Sequence, residues 1–291
     1  MIVWANLDQE SRWSGLGVPA HVAERISYAG ALLAALAPDG PVDLYTPTAI
    51  DPSRVHLGRE ITSHGTDSRQ PIADSLCWAA PTAQRVNDRR FALALGYGIP
   101  GTRVIESPDQ LDGDWPASWV AKAVWTAAGR DRARGEGAPT GELRARVKNL
   151  VARAGAVVVE PWLPRVLDLG VTSFVGKPPN PPHSLLVDER GGFLGIDLTE
   201  PELGPLRARL DEAVATADAA LAAAGYSGPF TVDAFVYRDG DRSELHPLCE
   251  LNARYTFGHI ARALAARRLG FGPPPDGARV LVDPPFTAWV A

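Results

Sequence analysis

Apolar positions along this chain follow two periods, and the change from one to the other marks out its elements. Val22, Ile26, Leu33 and Leu36 recur at helical spacing, which predicts a helix from Pro19 to Leu36 with the proline in its first turn. Ile2 to Ala5 and Val42 to Tyr45 read as short strands. A second helix is predicted over Ala83 to Leu95 and stops at Gly96. Strands follow at Val104-Ile105 and Trp119 to Val124. Thr140 is placed to cap a helix that carries Leu143, Val147, Leu150 and Val151 on one face, and Gly155 ends it.

Beyond residue 155 the period is mostly two. Ala156 to Val159 is a β-branched strand running into Glu160-Pro161-Trp162-Leu163-Pro164, and Leu169 to Val175 is another. Leu185 to Val187 and Phe193 to Ile196 flank Glu189-Arg190-Gly191-Gly192, a hairpin signal. An Ala-rich helix spans Leu206 to Ala224. A second hairpin joins the strand Phe230 to Tyr237, through Asp239-Gly240-Asp241, to the strand that ends at Cys249 to Asn252. Thr256 to Arg267 is helical, and a Pro/Gly-rich tail begins near Gly270. Residues 46 to 75 show little periodicity. Hairpins dominate the second half, so the fold class is α+β rather than one continuous parallel sheet.

Composition narrows the function. At 291 residues with 45% hydrophobic and 22% charged positions, the chain is expected to be globular, with two or three subdomains. A net charge of −5 without a dense basic stretch argues against nucleic acid as a partner. No run is apolar enough to span a membrane, and the first residues lack the features of a signal peptide. The only cysteines, Cys77 and Cys249, form no zinc or disulfide pattern, which fits a reducing cytoplasm. Lysine is scarce: Lys122, Lys148 and Lys177 stand among 29 basic residues, so a lysine inside the strand at Lys122 stands out.

Candidate chemistry gathers on the later strands. Glu250 and Asn252 are two apart and share a strand face, whereas Cys249 points the other way and reads as a core residue. Asp233 sits on the partner strand among apolar neighbours. Three oxygen donors of this kind suit Mg²⁺, and Arg254 beyond them suits phosphate oxygens. The plainer alternative is a hydrogen-bonded core Asp and a Glu paired with Arg254. Lys122, flanked by Val120 and Val124, either meets an anion or lies on the solvent face. The small-residue, basic stretch from Thr126 to Gly137, containing Gly129, either approaches phosphates through its backbone or is simply solvated. At Glu160-Pro161-Trp162-Leu163, the Glu160 carbonyl and the Leu163 N–H suit an adenine edge and Trp162 gives apolar cover, unless this is an edge turn with a core Trp. Asp168 either accepts from ribose hydroxyls or merely begins its strand.

Other patterns lead elsewhere. Gly96 to Gly101 matches GxGxxG but follows a helix, and Gly15 to Ala20 matches GxGxxA but lies far from the first strand. Gly170 to Lys177 has one residue too many for a P-loop, and Pro178 stands where Ser or Thr belongs. His246 shares the Glu250 face and reads as either a site neighbour or a structural histidine.

In order, Asn87-Asp88-Arg89, Gly98-Ile99-Pro100, Lys122, the glycine-containing loop, Glu160 to Leu163, Asp168, Asp233 and Glu250-Leu251-Asn252-Ala253-Arg254 resemble the ATP-grasp superfamily over about residues 85 to 267. The resemblance implies two α+β lobes enclosing ATP, a small lobe over about 116–165 and a large one over about 166–270. Residues 1–82 would be an N-terminal α/β part and 83–291 the ATP-grasp region with a C-terminal tail. It implies that Lys122 and the Gly129 loop bind phosphates, that Glu160, Trp162 and Leu163 hold adenine and Asp168 the ribose, and that Asp233, Glu250 and Asn252 ligate Mg²⁺. Arg254 would stabilise the transferred phosphoryl group. The implied reaction activates a small-molecule or peptide carboxylate as an acyl phosphate for an amine or thiol acceptor; a homodimer is compatible with it. A kinase of the same fold, an NAD-dependent oxidoreductase and a non-catalytic nucleotide-binding protein are the alternatives. The chain departs from the family pattern at Arg89, where a lysine is frequent, at Asp168, often Glu, and in the few glycines after Lys122.

Overall fold

The structure, a computed structural model, describes residues 1–5, 7, 9, 13, 18–65, 80–125, 132–188, 193–268, 277–283 and 287–290. Three sheets organise these residues. The first is parallel: β1 (Ile2–Trp4), β2 (Val42–Thr46) and β3 (Ile61–Gly65) pair in that order. Helix α1 (Ala20–Ala31) and the 3₁₀ turn Leu32–Leu36 pack against it, burying Ala5, Ala31, Ala34 and Leu44. β3 lies in the stretch without periodicity. Only Ile61 of its five residues is buried, so its pairing comes from backbone contacts along β2 and leaves no apolar signature.

The second sheet is antiparallel, in the order β4 (Arg103–Ile105), β7 (Val157–Pro161), β5 (Ser118–Ala123), β6 (Arg132–Glu136). Helix α4 (Gly141–Ala154) backs it and buries Trp119, Ala121, Val147, Leu150 and Val157. The helix ends at Gly155, whose φ of 76° is the left-handed backbone glycine adopts without penalty. Residues 132–136, expected to be loop, form β6. A single buried side chain, Ala133, gives that strand too thin a pattern to read. Gly135 holds it against β5: a Cβ there would lie 2.5 Å from Trp119 Cζ2.

The third sheet has seven strands in the order β12-β11-β8-β9-β10-β13-β14. These are β8 (Arg165–Phe174), β9 (His183–Val187), β10 (Phe193–Asp197), β11 (Pro229–Asp239), β12 (Arg242–Asn252), β13 (Arg279–Asp283) and β14 (Thr287–Val290), every pair antiparallel. Helix α5 (Leu206–Ala223) covers one face, with Leu210, Val214, Phe230, Val232 and Leu251 in the core between. Helix α6 (Phe257–Arg268) covers the other face toward β10 and β13, against Ile196, Leu198 and Val280. The expected C-terminal tail thus contributes two strands, because Val280 and Val282 have α6 to bury against.

The helix expected over residues 83–95 is broken. α2 (Ala80–Val86) ends, Asp88 takes extended backbone (φ −68°, ψ 128°), and its carboxylate accepts from the Arg90 N–H at 2.8 Å to start α3 (Arg89–Ala92). A wider turn, Leu93–Tyr97, follows and closes through Gly96 at φ 86°. The break turns Asn87 and Arg89 toward the cleft between the second and third sheets. No helix among the described residues is long and apolar enough to cross a membrane.

His183 is packed where β8, β9 and α6 meet. A Cβ on Gly170 would lie 2.5 Å from His183 Nε2, and one on Gly258 would lie 2.7 Å from both His183 Cε1 and Thr172 Cγ2. Gly258→Ala is therefore expected to destabilise the fold by about 1–3 kcal/mol, read from the midpoint and slope of urea denaturation. Burial also lowers the pKa of His183 to about 3 and of His259 to about 4, keeping both neutral. A histidine whose folded pKa lies below its unfolded value of about 6.5 contributes stability that is complete above that pH and is lost as pH falls below it. Unfolding free energy should therefore decline as pH drops from about 6.5 toward 4, by about 1.4 kcal/mol per pH unit for each such group. Denaturation curves across this range should show a shallower decline in His183→Gln.

Candidate functional site

Register places the site before any side chain is considered. Asp233 pairs with Glu250 on one side and Gly170 on the other, and Gly170 pairs with His183. Paired residues of adjacent strands point to one face, so Glu250, Asp233, Gly170 and His183 form a row. Asn252, Thr231 and Thr172 form the next row, and His246, Phe235 and Asp168 the row on the other side. This face looks toward the second sheet. There Val120, Lys122, Val124, Val158 and Glu160 alternate with the residues that pack on α4, and so point into the cleft. A cleft lies between, lined by Arg89, Glu160, His246, Glu250, Asn252 and Arg254 among others.

The acidic row is electrostatically strained. Burial and the neighbouring Glu250 charge push the Asp233 carboxyl well above the usual carboxylate range, while Arg89 and the Asn252 amide oppose the shift. Asn252 Nδ2 donates to Asp233 Oδ2 at 2.9 Å, which leaves its carbonyl oxygen for another partner. Arg89 Nη2 meets Glu250 Oε1 at 3.0 Å. Burial works against the Arg89 charge, but Glu250 and Glu160 outweigh it and hold its pKa above the ordinary value. Two carboxylates and an amide oxygen on adjacent strands suit a hard divalent cation, which would relieve their repulsion. Among the described residues no group of three or more His, Cys, Asp or Glu side chains has metal-binding geometry.

Asn87, at the break between α2 and α3, fastens the end of this strand. Its Oδ1 accepts from the Ala253 N–H at 2.9 Å and from Arg254 Nη1 at 3.5 Å, and its Nδ2 donates to the Ala83 carbonyl at 2.8 Å. Arg254 is half-buried, and burial brings its pKa down to about 10, which leaves it a cation at neutral pH.

Across the cleft, Lys122 Nζ meets Glu160 Oε2 at 2.5 Å, with side chains 14% and 12% exposed. Burial raises the Glu160 pKa, but Lys122 overcomes it and the net shift is downward. The backbone at this hinge follows from ladder parity. Trp162 N–H bonds Ser118 O at 2.9 Å and Val124 N–H bonds Ala156 O at 3.4 Å, so even-numbered residues along β7 direct their backbone groups to β5. Odd-numbered ones face β4, whose last pairing is Arg103 with Val159. Glu160 thus has its carbonyl in the ladder opposite Val120, and the carbonyl that projects past the end of β4 belongs to Pro161, followed by the Leu163 N–H. Trp162 is half-buried under Arg134, whose guanidinium carbon lies 3.5 Å from the ring centroid. Asp168 accepts from Arg165 Nη1 at 2.8 Å, and Arg165 lies 3.9 Å over the Phe235 ring. Gly129 lies outside the described residues.

Cys249 departs from the expected orientation. Pairing shifts between Asp233–Glu250 and Phe235–His246, a bulge that inserts extra residues into β12 and breaks strict alternation. The half-buried thiol consequently lines the same cavity as Glu250, and burial pushes its pKa up to about 12. Arg165 and Arg134 carry no signature strong enough to single them out by sequence, while Asn87 and Pro161 stand in the resembling motifs without a role of their own. Arg165 at three residues before Asp168 is the one spacing that hints at its ion pair.

No protein-family model and no curated protein matches the chain. Solved structures do. Phosphoribosylamine–glycine ligase from Thermotoga maritima aligns with a TM-score of 0.55 at 15% identity, over 89% of this chain and 77% of that one. Biotin carboxylase from Campylobacter jejuni aligns at 0.48 and 14%, over 89% and 60%, and the ATP-grasp ligase PsnB at 0.40 and 19%, over 62% and 56%. The chain therefore spans little more than half the length of the PsnB structure. At such identities the likeness is one of fold, and the fold is ATP-grasp.

Because Lys122 and Glu160 are both buried, removing one strands the other. Lys122→Met should cost about 3–5 kcal/mol of stability, and Lys122→Met combined with Glu160→Leu should recover most of it. Chemical denaturation of the single and double variants measures both.

Proposed function

We propose that the chain is an ATP-dependent, Mg²⁺-dependent ligase that activates a carboxylate as an acyl phosphate for attack by an amine or thiol. The observation that carries this reading is the Glu250–Asp233 pair, held in register, with Arg89 and Arg254 beside it and Lys122 on the facing sheet. An anionic, polyphosphate-bearing ligand with its cation matches that charge pattern. The similar Thermotoga maritima protein is named as a ligase, which agrees.

In this reading the Pro161 carbonyl and Leu163 N–H take the polar edge of adenine, Glu160 holds Lys122 in place, and Asp168 accepts from the ribose once Arg165 gives way. Lys122 and Arg89 bind phosphate oxygens. Asp233, Glu250 and Asn252 would hold Mg²⁺, which when bound supplies charge neutralisation on the phosphates. Arg254, positioned by Asn87, meets the negative charge that builds on the transferred phosphoryl group. The substrate carboxylate is the nucleophile toward the γ-phosphorus, ADP leaves, and the acceptor amine or thiol then displaces phosphate from the acyl carbon. The protein need supply no nucleophile, and the high pKa of Cys249 suits a thiol that takes no part.

Asp233→Ala and Glu250→Ala should each lower carboxylate-dependent ADP release by on the order of 100-fold or more, measured across a panel of amino-acid and peptide carboxylates. Unchanged turnover in both variants would sink the reading. Hydroxylamine added in place of the acceptor should yield a hydroxamate. A stable phosphorylated hydroxyl product would instead mark a kinase.

A further inference from the structure

Arg89 fastens the second and third sheets to each other with one side chain. Its main-chain N–H donates to the Val124 carbonyl at 3.1 Å and its Nε to the Ala123 carbonyl at 3.2 Å, both at the end of β5. Its Nη2 donates to Glu250 Oε1 on β12 at 3.0 Å. Nε and Nη2 lie along one edge of the planar guanidinium, so a single rigid group grips a carbonyl of one sheet and a carboxylate of the other. A lysine would have one nitrogen for both acceptors. The Arg89 side chain is 11% exposed, so its charge is screened less than one on the surface. Glu250 is the register partner of Asp233, whose carboxylate takes the Asn252 amide. A fixed cation at this distance repels a second cation approaching Glu250. It attracts the phosphate oxygens that accompany a nucleotide-bound one.

We propose that Arg89 is a positioning residue that sets the order of binding: it holds Glu250 against free Mg²⁺ and releases that carboxylate when nucleotide phosphates draw Nη2 to themselves. The Nε bond to Ala123 keeps the guanidinium in the cleft during the exchange. This rests on the reading of the cleft as a magnesium-nucleotide site and goes beyond it in assigning the coupling of metal to nucleotide to one side chain. Free metal would meet a carboxylate already paired, whereas the metal–nucleotide complex brings the anion that compensates Arg89.

The first experiment titrates Mn²⁺ without nucleotide, followed by electron paramagnetic resonance. Arg89→Gln removes the charge and keeps an amide donor, so it should bind Mn²⁺ on the order of tenfold more tightly than wild type. The second uses nitrogen-15 NMR of arginine-labelled wild-type protein, and it stands even if Arg89→Gln does not fold. The Arg89 Nη2 resonance should stay in place with millimolar Mg²⁺ alone and shift when ADP is added with Mg²⁺. Unchanged or weaker Mn²⁺ binding in Arg89→Gln would overturn the assignment while leaving the nucleotide site standing. So would an Nη2 resonance that moves with Mg²⁺ alone, or one that stays in place while calorimetry shows ADP and Mg²⁺ bound. Calorimetry that shows no binding of ADP with Mg²⁺ would overturn both.

Discussion

Two carboxylates face one another across β11 and β12, and most of the cleft is arranged around that fact. Asp233 and Glu250 are register partners, so neither can turn away without breaking the ladder. Their mutual repulsion and burial have to be balanced from outside the hairpin. Arg89 does so from α3, Asn252 from the same strand, and a bound cation would complete the compensation. The break in the helix at Asn87–Asp88 follows from the same demand. A continuous helix would carry Arg89 past the strand end and leave the Ala253 N–H without the Asn87 amide that accepts from it.

The second lobe answers with a pair of opposite sign balance. Lys122 and Glu160 neutralise each other in the absence of a ligand, so the small sheet presents no unpaired buried charge to the acidic row. Arg165 plays a similar part with Asp168 on the large sheet. The cleft is thus self-compensated in many places, and an incoming anionic ligand would exchange partners rather than enter a bare electrostatic field. His246 Nδ1 and His183 Nδ1 are both buried without a hydrogen-bond partner.

Much of this was legible from residue types and spacing. Glu250 and Asn252 two apart, Asp233 in an apolar run and Lys122 between valines all lie on strands where alternation predicts their faces, and the sheet keeps those faces. Cys249 did not follow, because a bulge adds residues that a period of two cannot anticipate. The Glu160 carbonyl lies in the β5 ladder, and the one directed away from it belongs to Pro161, for a related reason. Which backbone groups are free depends on the neighbour each residue pairs with, and the short β4 ends at the partner of Val159. β3 and β6 were missed because they bury too few side chains in a regular pattern.

The sequence by itself determined the class of fold and the kinds of side chain available, since periodicity and residue chemistry are local properties. Only the tertiary structure decided which of them meet. That Arg89 reaches Glu250 over 161 positions of chain depends on packing α3 against β12, and that Lys122 reaches Glu160 over 38 depends on the pairing of β5 with β7. That Asn87 accepts from the Ala253 N–H over 166 positions of chain depends on the break that ends α2. Contacts of that range are set by the closing of sheets and the burial of cores, and no window of neighbouring residues contains them.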